Sequence, residues 1–388
     1  MFESTVKVES PGAVRLRRVP WLFSAQVDLL TFLGSAVLSL TLLAVGAELG
    51  WLQSETPGWT WIVGVLLIDV AHVYATGFRV YFDRQELAQR PWLYGLTPLL
   101  ALMISWAVYS ESVELFWRVL AYVAVFHFVR QQYGWVALYR SRGGETSRIG
   151  WWIDASAIYL ATIYPLVYWH SQLPRQFWWF REGDFATVSI DVAPLLAPIY
   201  WLTLAVYGIK SGYRAIYQKQ FNPGKDIVVA TTAVCWYLGI VSYNSDYAFL
   251  VTNVIIHGIP YMVLTYWYSY RLTKPFVRQD DEAEPQVEEG RTRRPIVNAI
   301  RLAKFLGIVW VLAYVEELLW DSGVWHERSW LFGAGWFGSW QIAGWETVLV
   351  PLLAVPQITH YVLDGFIWRR KSNKNFAKMI GQSQTLIE

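Results

Sequence analysis

Long apolar stretches alternate with shorter polar connections along almost the whole chain. A helix needs about 20 apolar residues to cross the roughly 30 Å hydrocarbon layer of a bilayer, and ten stretches approach or exceed that length. We therefore predict an all-α fold, a polytopic transmembrane bundle of about ten helices. The predicted spans are Trp21–Leu49, Trp59–Phe78, Trp92–Tyr109, Val113–Tyr139, Trp151–Trp169, Val192–Ile209, Ile227–Tyr243, Phe249–Tyr270, Leu302–Trp320 and Trp345–Trp368.

The connections between these stretches alternate in charge. Basic residues concentrate in every second connection, from Arg15, Arg17 and Arg18 near the start to Arg369 and Arg370 near the end, and the connections between them are acidic or neutral. Cytoplasmic connections carry the excess of Lys and Arg in membrane proteins. The pattern therefore predicts that both termini are cytoplasmic, in a bacterial inner membrane, and one missed helix would break it.

The segment 271–295 interrupts the succession of spans. It is rich in charged residues and lacks apolar periodicity, which is typical of a linker. We predict three parts: an eight-helix membrane bundle over residues 1–270, a charged cytoplasmic linker over 271–295, and residues 296–388. The last part contributes two further transmembrane helices that complete the bundle, followed by a basic cytoplasmic tail.

Composition excludes several classes of protein. The chain is 55% hydrophobic and 16% charged, whereas soluble domains carry about 25% charged residues. The lipid bilayer is thus an expected partner. Nucleic acid is not, because the basic residues lie in connections rather than on one face. The single cysteine, Cys235, excludes a disulfide or thiolate cluster within the chain. The absence of a phosphate-binding loop or a nucleophile elbow argues against nucleotide-driven transport and common hydrolases.

Four of the six histidines fall inside predicted spans that all run from the outside inward. Counted from the cytoplasmic helix ends at 1.5 Å per residue, they lie within about 10 Å of one another in depth. A shared depth is what a single polar site requires, so we predict that the four imidazoles converge. They are His72, His127, His257 and His360. The other two, His170 and His326, fall at or beyond the outer helix ends.

Carboxylates accompany two of these histidines. Asp69 precedes His72 by three residues and Asp364 follows His360 by four, so each acid shares a helix face with its histidine. Four imidazoles with one or two carboxylates suit Fe, Mn, Cu or Zn, and without cysteine the set leans towards iron. Asp69 and Asp364 are either ligands or outer groups that orient the imidazoles. The alternative is that each histidine only forms hydrogen bonds between helices.

Other polar residues in the spans divide into two groups. Asn253 precedes His257 by four residues, and Arg130 and Gln131 follow His127 by three and four, so all three are expected near the site. Arg130 would balance negative charge or bind an anionic group of a substrate. Asp154, Glu316 and Glu317 lie near predicted helix ends, where solvation or snorkelling to the interface explains them.

Three segments resemble known proteins: His127–Gly134, Asn253–Tyr261 and His360–Arg369. They are similar to segments of bacterial polytopic membrane proteins and, more distantly, of the Brp/Blh-type carotene dioxygenases. That resemblance implies a multi-helix membrane enzyme holding non-haem iron through histidines of several helices. The candidate ligands here are His72, His127, His257 and His360. The chain departs from that family by its two helices beyond the charged linker, one of which carries His360.

These observations lead to one functional hypothesis and two alternatives. The first is a membrane-embedded, iron-dependent oxygenase or hydroxylase that admits a lipid-like apolar substrate between its helices and draws electrons from a cytoplasmic donor. Arg130, Gln131, Tyr133 and Asn253 are its candidate catalytic residues, and no residues are assigned to a further cofactor. The alternatives are a proton-coupled transporter with a buried His/Asp/Arg cluster and a b-haem electron-transfer protein with axial histidines.

Overall fold

A computed structural model describes residues 19–272, 289–333, 344–369, 373, 376 and 377. These residues are helical throughout, joined by turns and loops, and contain no strand. The helices are α1 Ala25–Glu48, α2 Gly58–Arg79, α3 Arg84–Gln89, α4 Pro91–Glu111, α5 Val113–Arg142, α6 Arg148–Ser171, α7 Ala193–Ile216, α8 Pro223–Ser242, α9 Asp246–Tyr270, α10 Glu289–Trp320, α11 Ser329–Phe332 and α12 Glu346–Ile367.

Seven of these helices are long and apolar enough to cross a membrane: α1, α2, α4, α7, α8, α9 and α12. The chain is therefore an integral membrane protein with an all-α fold. Helices α5, α6 and α10 are also long, at 30, 24 and 32 residues. They are less apolar along their length and pack against the seven.

The predicted linker lies largely outside the described residues, as do residues 378–388 of the predicted tail. Helix α10 begins at Glu289, so the last part of the predicted linker 271–295 is helical. The two helices beyond it, α10 and α12, pack against α2 and α4. They thus join the same bundle as the first eight predicted spans.

Helices α2 and α9 each contain a π-helical stretch directly before a histidine of the predicted site. In α2 it covers Trp61–Val70, and His72 follows after one residue. In α9 it covers Leu250–Val254, and His257 follows in the next turn. Wider turns of this kind in membrane helices leave backbone groups weakly bonded and occur often at functional sites. Three further π-helical stretches, Leu29–Gly34, Tyr237–Ser242 and Asp321–Trp325, precede no histidine of the site, so this feature accompanies the site without defining it.

Small residues bring α2 and α9 close together beside these histidines. A Cβ atom at Gly258 would lie 2.6 Å from Ile68 Cγ2 and 3.1 Å from the carbonyl oxygen of Ile68. On α2, Ala71 and Ala75 are fully buried. Small side chains permit such close approach between membrane helices. The position of His257 beside His72 thus depends on Gly258.

One end of the bundle contains a network of buried charges, which we call the ion network: Arg140, Glu145, Asp154, Lys210, Arg214 and Lys225. Asp154 is fully buried and accepts from Lys210 Nζ at 2.6 Å, from Lys225 Nζ at 3.2 Å and from Arg140. The prediction that Asp154 is a solvated helix-end residue is wrong. Cations from α5, α7 and α8 converge on the start of α6 and enclose it.

Glu145 completes the ion network from the connection between α5 and α6. Its carboxylate accepts from Lys225 Nζ at 2.8 Å, from Arg214 and from Asn222 Nδ2 at 2.8 Å. Each acid of the network therefore has at least two cationic partners. Buried charges of opposite sign that are hydrogen-bonded in this way fix neighbouring helices relative to one another.

Candidate metal centre

The four histidines predicted to converge do meet in the bundle interior. The Nε2 atoms of His72 and His257 are 3.2 Å apart, and those of His127 and His360 are 3.1 Å apart. The two pairs belong to one group, since His72, His127 and His257 offer ligand atoms within 4.8 Å of one another. The ring centres of His72 and His360 lie 4.9 Å apart. Four helices, α2, α5, α9 and α12, thus supply one imidazole each.

The group is shielded from solvent. Its members are between 0% and 3% exposed. The Phe128 ring stacks on His257 at 3.5 Å between ring centres and 9° between planes, and Tyr361 packs against His127. These rings restrict how the imidazoles rotate, so the Nε2 atoms are held facing one another.

The outward-facing Nδ1 atoms have polar neighbours of their own. Asp69 Oδ1 lies 3.6 Å from His72 Nδ1, and Asp364 Oδ2 lies 3.8 Å from His127 Nδ1, both just beyond hydrogen-bonding distance. His360 Nδ1 lies 2.7 Å from the hydroxyl of Thr76. The sequence paired Asp364 with His360 on its own helix, but across the bundle this acid faces His127. Both carboxylates stand on the outer side of the imidazoles.

The groups beside Nδ1 influence which ring nitrogen of each histidine carries the proton. A carboxylate beside Nδ1 favours the tautomer that carries its proton on Nδ1, which leaves the Nε2 lone pair free. In His72 and His127 that lone pair then points into the group. Converging lone pairs repel each other unless a proton or a cation lies between them.

The spacing of the facing nitrogens matches that of two ligands on one ion. Two imidazole nitrogens bound at about 2.1 Å stand about 3.0 Å apart at a right angle and about 3.4 Å apart at the tetrahedral angle. The observed separations of 3.1 and 3.2 Å lie within this range. The donor set of nitrogens, with carboxylates behind them, also suits a transition metal. The positions of His72, His127 and His257 therefore approach those of ligands to a metal ion, and His360 lies against this group.

A hydroxyl pair behind the imidazoles was not foreseen from the sequence. The Tyr261 hydroxyl lies 2.9 Å from Thr76 Oγ1 and also hydrogen-bonds to Asp364. Trp368 Nε1 donates to Asp364 Oδ1 at 2.6 Å. The spacing in the sequence could have indicated these residues. Thr76 follows His72 by four residues, Tyr261 follows His257 by four, and Trp368 follows Asp364 by four. Residues one helical turn apart lie on the same face of a helix.

Two of the predicted catalytic residues support the frame of the site. Gln131 Nε2 donates to the carbonyl oxygen of His257 at 2.8 Å, which ties α5 to α9. Asn253 is fully buried, donates to Thr252 and packs against Gly239 of α8. Their described contacts are to backbone and neighbouring helices rather than to an imidazole nitrogen.

The other two predicted catalytic residues point elsewhere. Arg130 is exposed, its guanidinium donates to the Tyr159 hydroxyl and lies 5.0 Å from the centre of the Tyr133 ring. Tyr133 stacks on Tyr159 and accepts from Trp151 Nε1 at 3.1 Å. The described contacts of both residues are with α5 and α6 and do not include a histidine.

A cavity of about 1100 Å³ reaches the site from one end of the bundle. Its inner wall includes Asp69 and Phe128, which contact His72 and His257. Its outer wall comes from the connections that follow α1, α6, α8 and α10, including residues 53–58, 176–182, 325, 327, 328 and 330. The cavity thus extends from one end of the bundle to the residues that cover the histidine group, while the imidazoles themselves stay buried.

Glu316 and Glu317 belong to this region, and the prediction that they snorkel to the interface is wrong. They are 3% and 8% exposed, because α10 packs against α2 and the π-helical turn Asp321–Trp325 folds over its end. Glu316 accepts from Trp320 Nε1 at 3.2 Å and from the Tyr74 hydroxyl. Glu317 lines the cavity.

No protein-family model matches the chain, and no curated protein or solved structure is significantly similar to it. The resemblance of three segments to the Brp/Blh-type carotene dioxygenases therefore stays a prediction.

Proposed function

We propose that the protein is a metal-dependent oxidoreductase of the membrane, an oxygenase or hydroxylase acting on a lipid-like substrate. The observation that carries the proposal is the inward orientation of four imidazole Nε2 atoms from four different helices. Hydrogen bonding between helices requires only one donor and one acceptor at each contact. Four converging Nε2 atoms from four helices, two of them in rings with a carboxylate behind, are an arrangement that suits an ion.

Iron is the metal that we propose. The ligand set contains nitrogen donors and carboxylates but no thiolate, and a histidine-rich set with open positions suits Fe(II) that activates O₂. His72, His127, His257 and His360 would hold the ion. Asp69 and Asp364, on the Nδ1 side, would orient His72 and His127 and raise the basicity of their nitrogens.

The residues around the histidine group define the environment that a substrate would enter. The aromatic rings of Phe128 and Tyr361 exclude water from the imidazoles. The hydrogen-bonded chain from His360 through Thr76 to Tyr261 and Asp364 offers a route by which a proton could leave the site. Electrons would come from a donor on the cytoplasmic side.

We further propose ten transmembrane spans with both termini in the cytoplasm of a bacterial cell. The charge alternation of the connections supports this topology. Helices α5, α6 and α10 supply the three spans beyond the seven most apolar ones, and each has at least 24 residues. In this topology the ion network faces the cytoplasm and the cavity opens outside.

The spacing of the rings favours a single ion over haem. The ring centres of His127 lie 4.6 Å from His360 and 5.1 Å from His257. Axial imidazoles of a haem stand on opposite sides of a porphyrin plane, which needs more room than these separations leave. A transport relay of the His/Asp/Arg type receives less support, because the described contacts of Arg130 lie with tyrosines.

Metal analysis of the purified full-length protein tests the proposal. We expect one transition-metal ion per chain, with iron predominant, and loss of most of it in His127→Ala. The matched control is His326→Asn, since His326 is exposed and its left-handed backbone is one that asparagine tolerates. The control should retain the metal.

Two results would contradict the proposal. One is a protein without stoichiometric metal whose thermal stability does not change when a chelator is added. The other is equal metal content in His127→Ala and the wild type, because the ion would then lie elsewhere. A Soret absorption band in the purified protein would instead support the haem alternative.

A further inference from the structure

The end of α10 places a buried carboxyl group without a partner in the wall of the cavity. Glu317 is 8% exposed and lines the cavity. Within the described part of the chain its carboxyl forms neither a hydrogen bond nor an ion pair. Burying a carboxylate without a partner is costly in a membrane protein, and such residues usually mark a site for something that binds.

Three indole rings, which pack against one another, line the same cavity as this carboxyl. Trp320 follows Glu317 by three residues on the same face of α10, and its ring lies 5.9 Å from those of both Trp117 and Trp325. Trp117 and Trp325 are 5.4 Å apart. All three line the cavity. A group of indole rings beside a carboxylate is the combination that binds alkylated ammonium ions, through the negative faces of the rings.

The charge of the cavity wall also favours a cationic ligand. Among the described residues that line it, six carry carboxyl groups and two carry guanidinium groups: Glu55, Asp69, Glu182, Asp246, Glu317 and Glu327 against Arg181 and Arg328. A cleft lined mainly by one sign of charge concentrates ions of the opposite sign. The cavity therefore favours cations.

The wall already holds one cation on an aromatic ring. The guanidinium of Arg328 lies 4.2 Å from the centre of the Trp61 ring, and its charge is paired with Glu327 at 3.1 Å. Arg328 acts on Glu317 only through a longer-range attraction and forms no direct ion pair with it in the described part of the chain. The contact shows that a planar cation lies against one aromatic ring of this wall, Trp61.

We propose that the cavity binds an organic ammonium compound, with Glu317 as the counter-ion and the packed rings of Trp117, Trp320 and Trp325 as one wall beside its alkyl or aryl groups. A volume of about 1100 Å³ far exceeds what a metal ion needs, and the indole rings of this wall supply no oxygen ligand. The cavity continues from Glu317 to Asp69, beside His72. Resting on the proposed function, this ligand is the substrate: an amphiphilic amine that enters from the outer end of the bundle.

Calorimetric titration of the full-length protein in detergent tests the proposal. The probe is benzyltrimethylammonium, with benzenesulfonate as an anion of similar size and benzyl alcohol as an uncharged compound. We expect saturable binding of the cation and none of the other two. Glu317→Gln should weaken cation binding by about tenfold or more, since it removes the charged partner.

Two further variants complete the experiment. Glu111→Gln changes an exposed carboxyl that does not line the cavity and should bind the cation like the wild type. Trp330→Ala removes an exposed ring of the cavity wall and should weaken binding by about two- to fivefold. This second variant does not depend on the folding of α10.

The proposal is overturned if benzenesulfonate or benzyl alcohol binds as well as the cation. It is also overturned if folded Glu317→Gln binds the cation unchanged. Metal content is measured on the same preparations. Cation binding by protein that lacks metal would refute the proposed function and leave this inference standing, whereas metal-loaded protein that does not bind the cation would do the reverse.

Discussion

The ion network and the histidine group are both polar clusters inside an apolar bundle, but their groups are satisfied differently. In the ion network, Asp154 and Glu145 each receive several cations from neighbouring helices. In the histidine group, Nε2 atoms face one another, and no side chain among the described residues hydrogen-bonds to Nδ1 of His72 or His257. The first cluster is complete within the chain. The second brings nitrogen atoms together without any cation of the described residues between them, and for this reason we propose a bound ion there.

The largest effect is expected from breaking the ion network. Asp154→Ala would leave the cations of Arg140, Lys210 and Lys225 close together without their shared acid. Loss of one member of a buried ion pair typically costs about 3–5 kcal/mol. Thermal unfolding in detergent measures this, with the exposed Glu111→Ala as a control that should unfold like the wild type. Unchanged stability of Asp154→Ala would mean that the network does not hold the helices together.

A smaller effect is expected from changing the outer partner of a proposed ligand. Asp364→Asn keeps all four imidazoles but removes the negative charge beside His127 Nδ1. Changes of such outer groups typically reduce metal affinity by about 10- to 100-fold. Competition with a chelator measures this affinity. The control is Asp191→Asn, which changes an exposed acid distant in sequence from Asp364 and should have the metal affinity of the wild type. Equal affinity in both variants would remove the assigned role of Asp364.

The close packing of α2 against α9 is tested by comparing an added methyl group at Gly258 with one at Gly307. Gly258→Ala places a Cβ atom 2.6 Å from Ile68 Cγ2, so the helices must separate or Ile68 must move, at a cost of about 1–3 kcal/mol. Gly307→Ala, on α10, meets no atom within 4 Å and should be neutral or stabilising by up to about 1 kcal/mol. Thermal unfolding and metal content of both variants are compared. If Gly258→Ala retains both, the spacing of His72 and His257 does not depend on this contact.

The smallest effect is expected from pH. Burial raises the pKa of Glu145, but Lys225, Asn222 and Arg214 outweigh it, and the net pKa lies below the usual 4.5. A group whose pKa is lower in the folded state stabilises it above the unfolded-state pKa and loses that contribution as pH falls through the folded-state pKa. Stability should therefore decline below about pH 4.5, by at most about 1.4 kcal/mol per pH unit from this single group.

Glu145→Gln isolates this contribution. The variant should unfold at a lower temperature than the wild type at neutral pH, and the difference should shrink as the pH is lowered, since protonated Glu145 resembles glutamine. Thermal unfolding curves at several pH values provide the measurement. A difference that stays constant down to about pH 3 would show that Glu145 is not linked to folding through its proton.

The sequence predicted the fold class and the convergence of the histidines, because both follow from local pattern. Apolar runs of bilayer length predict helices, and the alternation of charge predicts how they run. Equal depth on helices of one direction then placed His72, His127, His257 and His360 at one level. The structure confirms the helical class and the meeting of the four rings.

The neighbours of the polar residues were predicted less well. Asp154, Glu316 and Glu317 lie near helix ends, and the sequence offers no means to tell a helix end in water from one enclosed by other helices. Arg130 lies one turn from His127 in the chain, yet its side chain reaches Tyr159 on α6. The residue pattern of one helix does not indicate which side chains of other helices will contact it.

By itself, the sequence determined that this chain forms membrane helices and that four imidazoles share a depth, because hydropathy and helical rise act within single segments. Only the tertiary structure decided that Asp364 faces His127 rather than His360 and that Thr76 and Tyr261 lie behind the imidazole rings. It also decided that Glu317 lines a cavity whose wall contains several indole rings. The reason is that the rotation of each helix about its axis is set by packing. Contacts such as Gly258 against Ile68 fix that rotation.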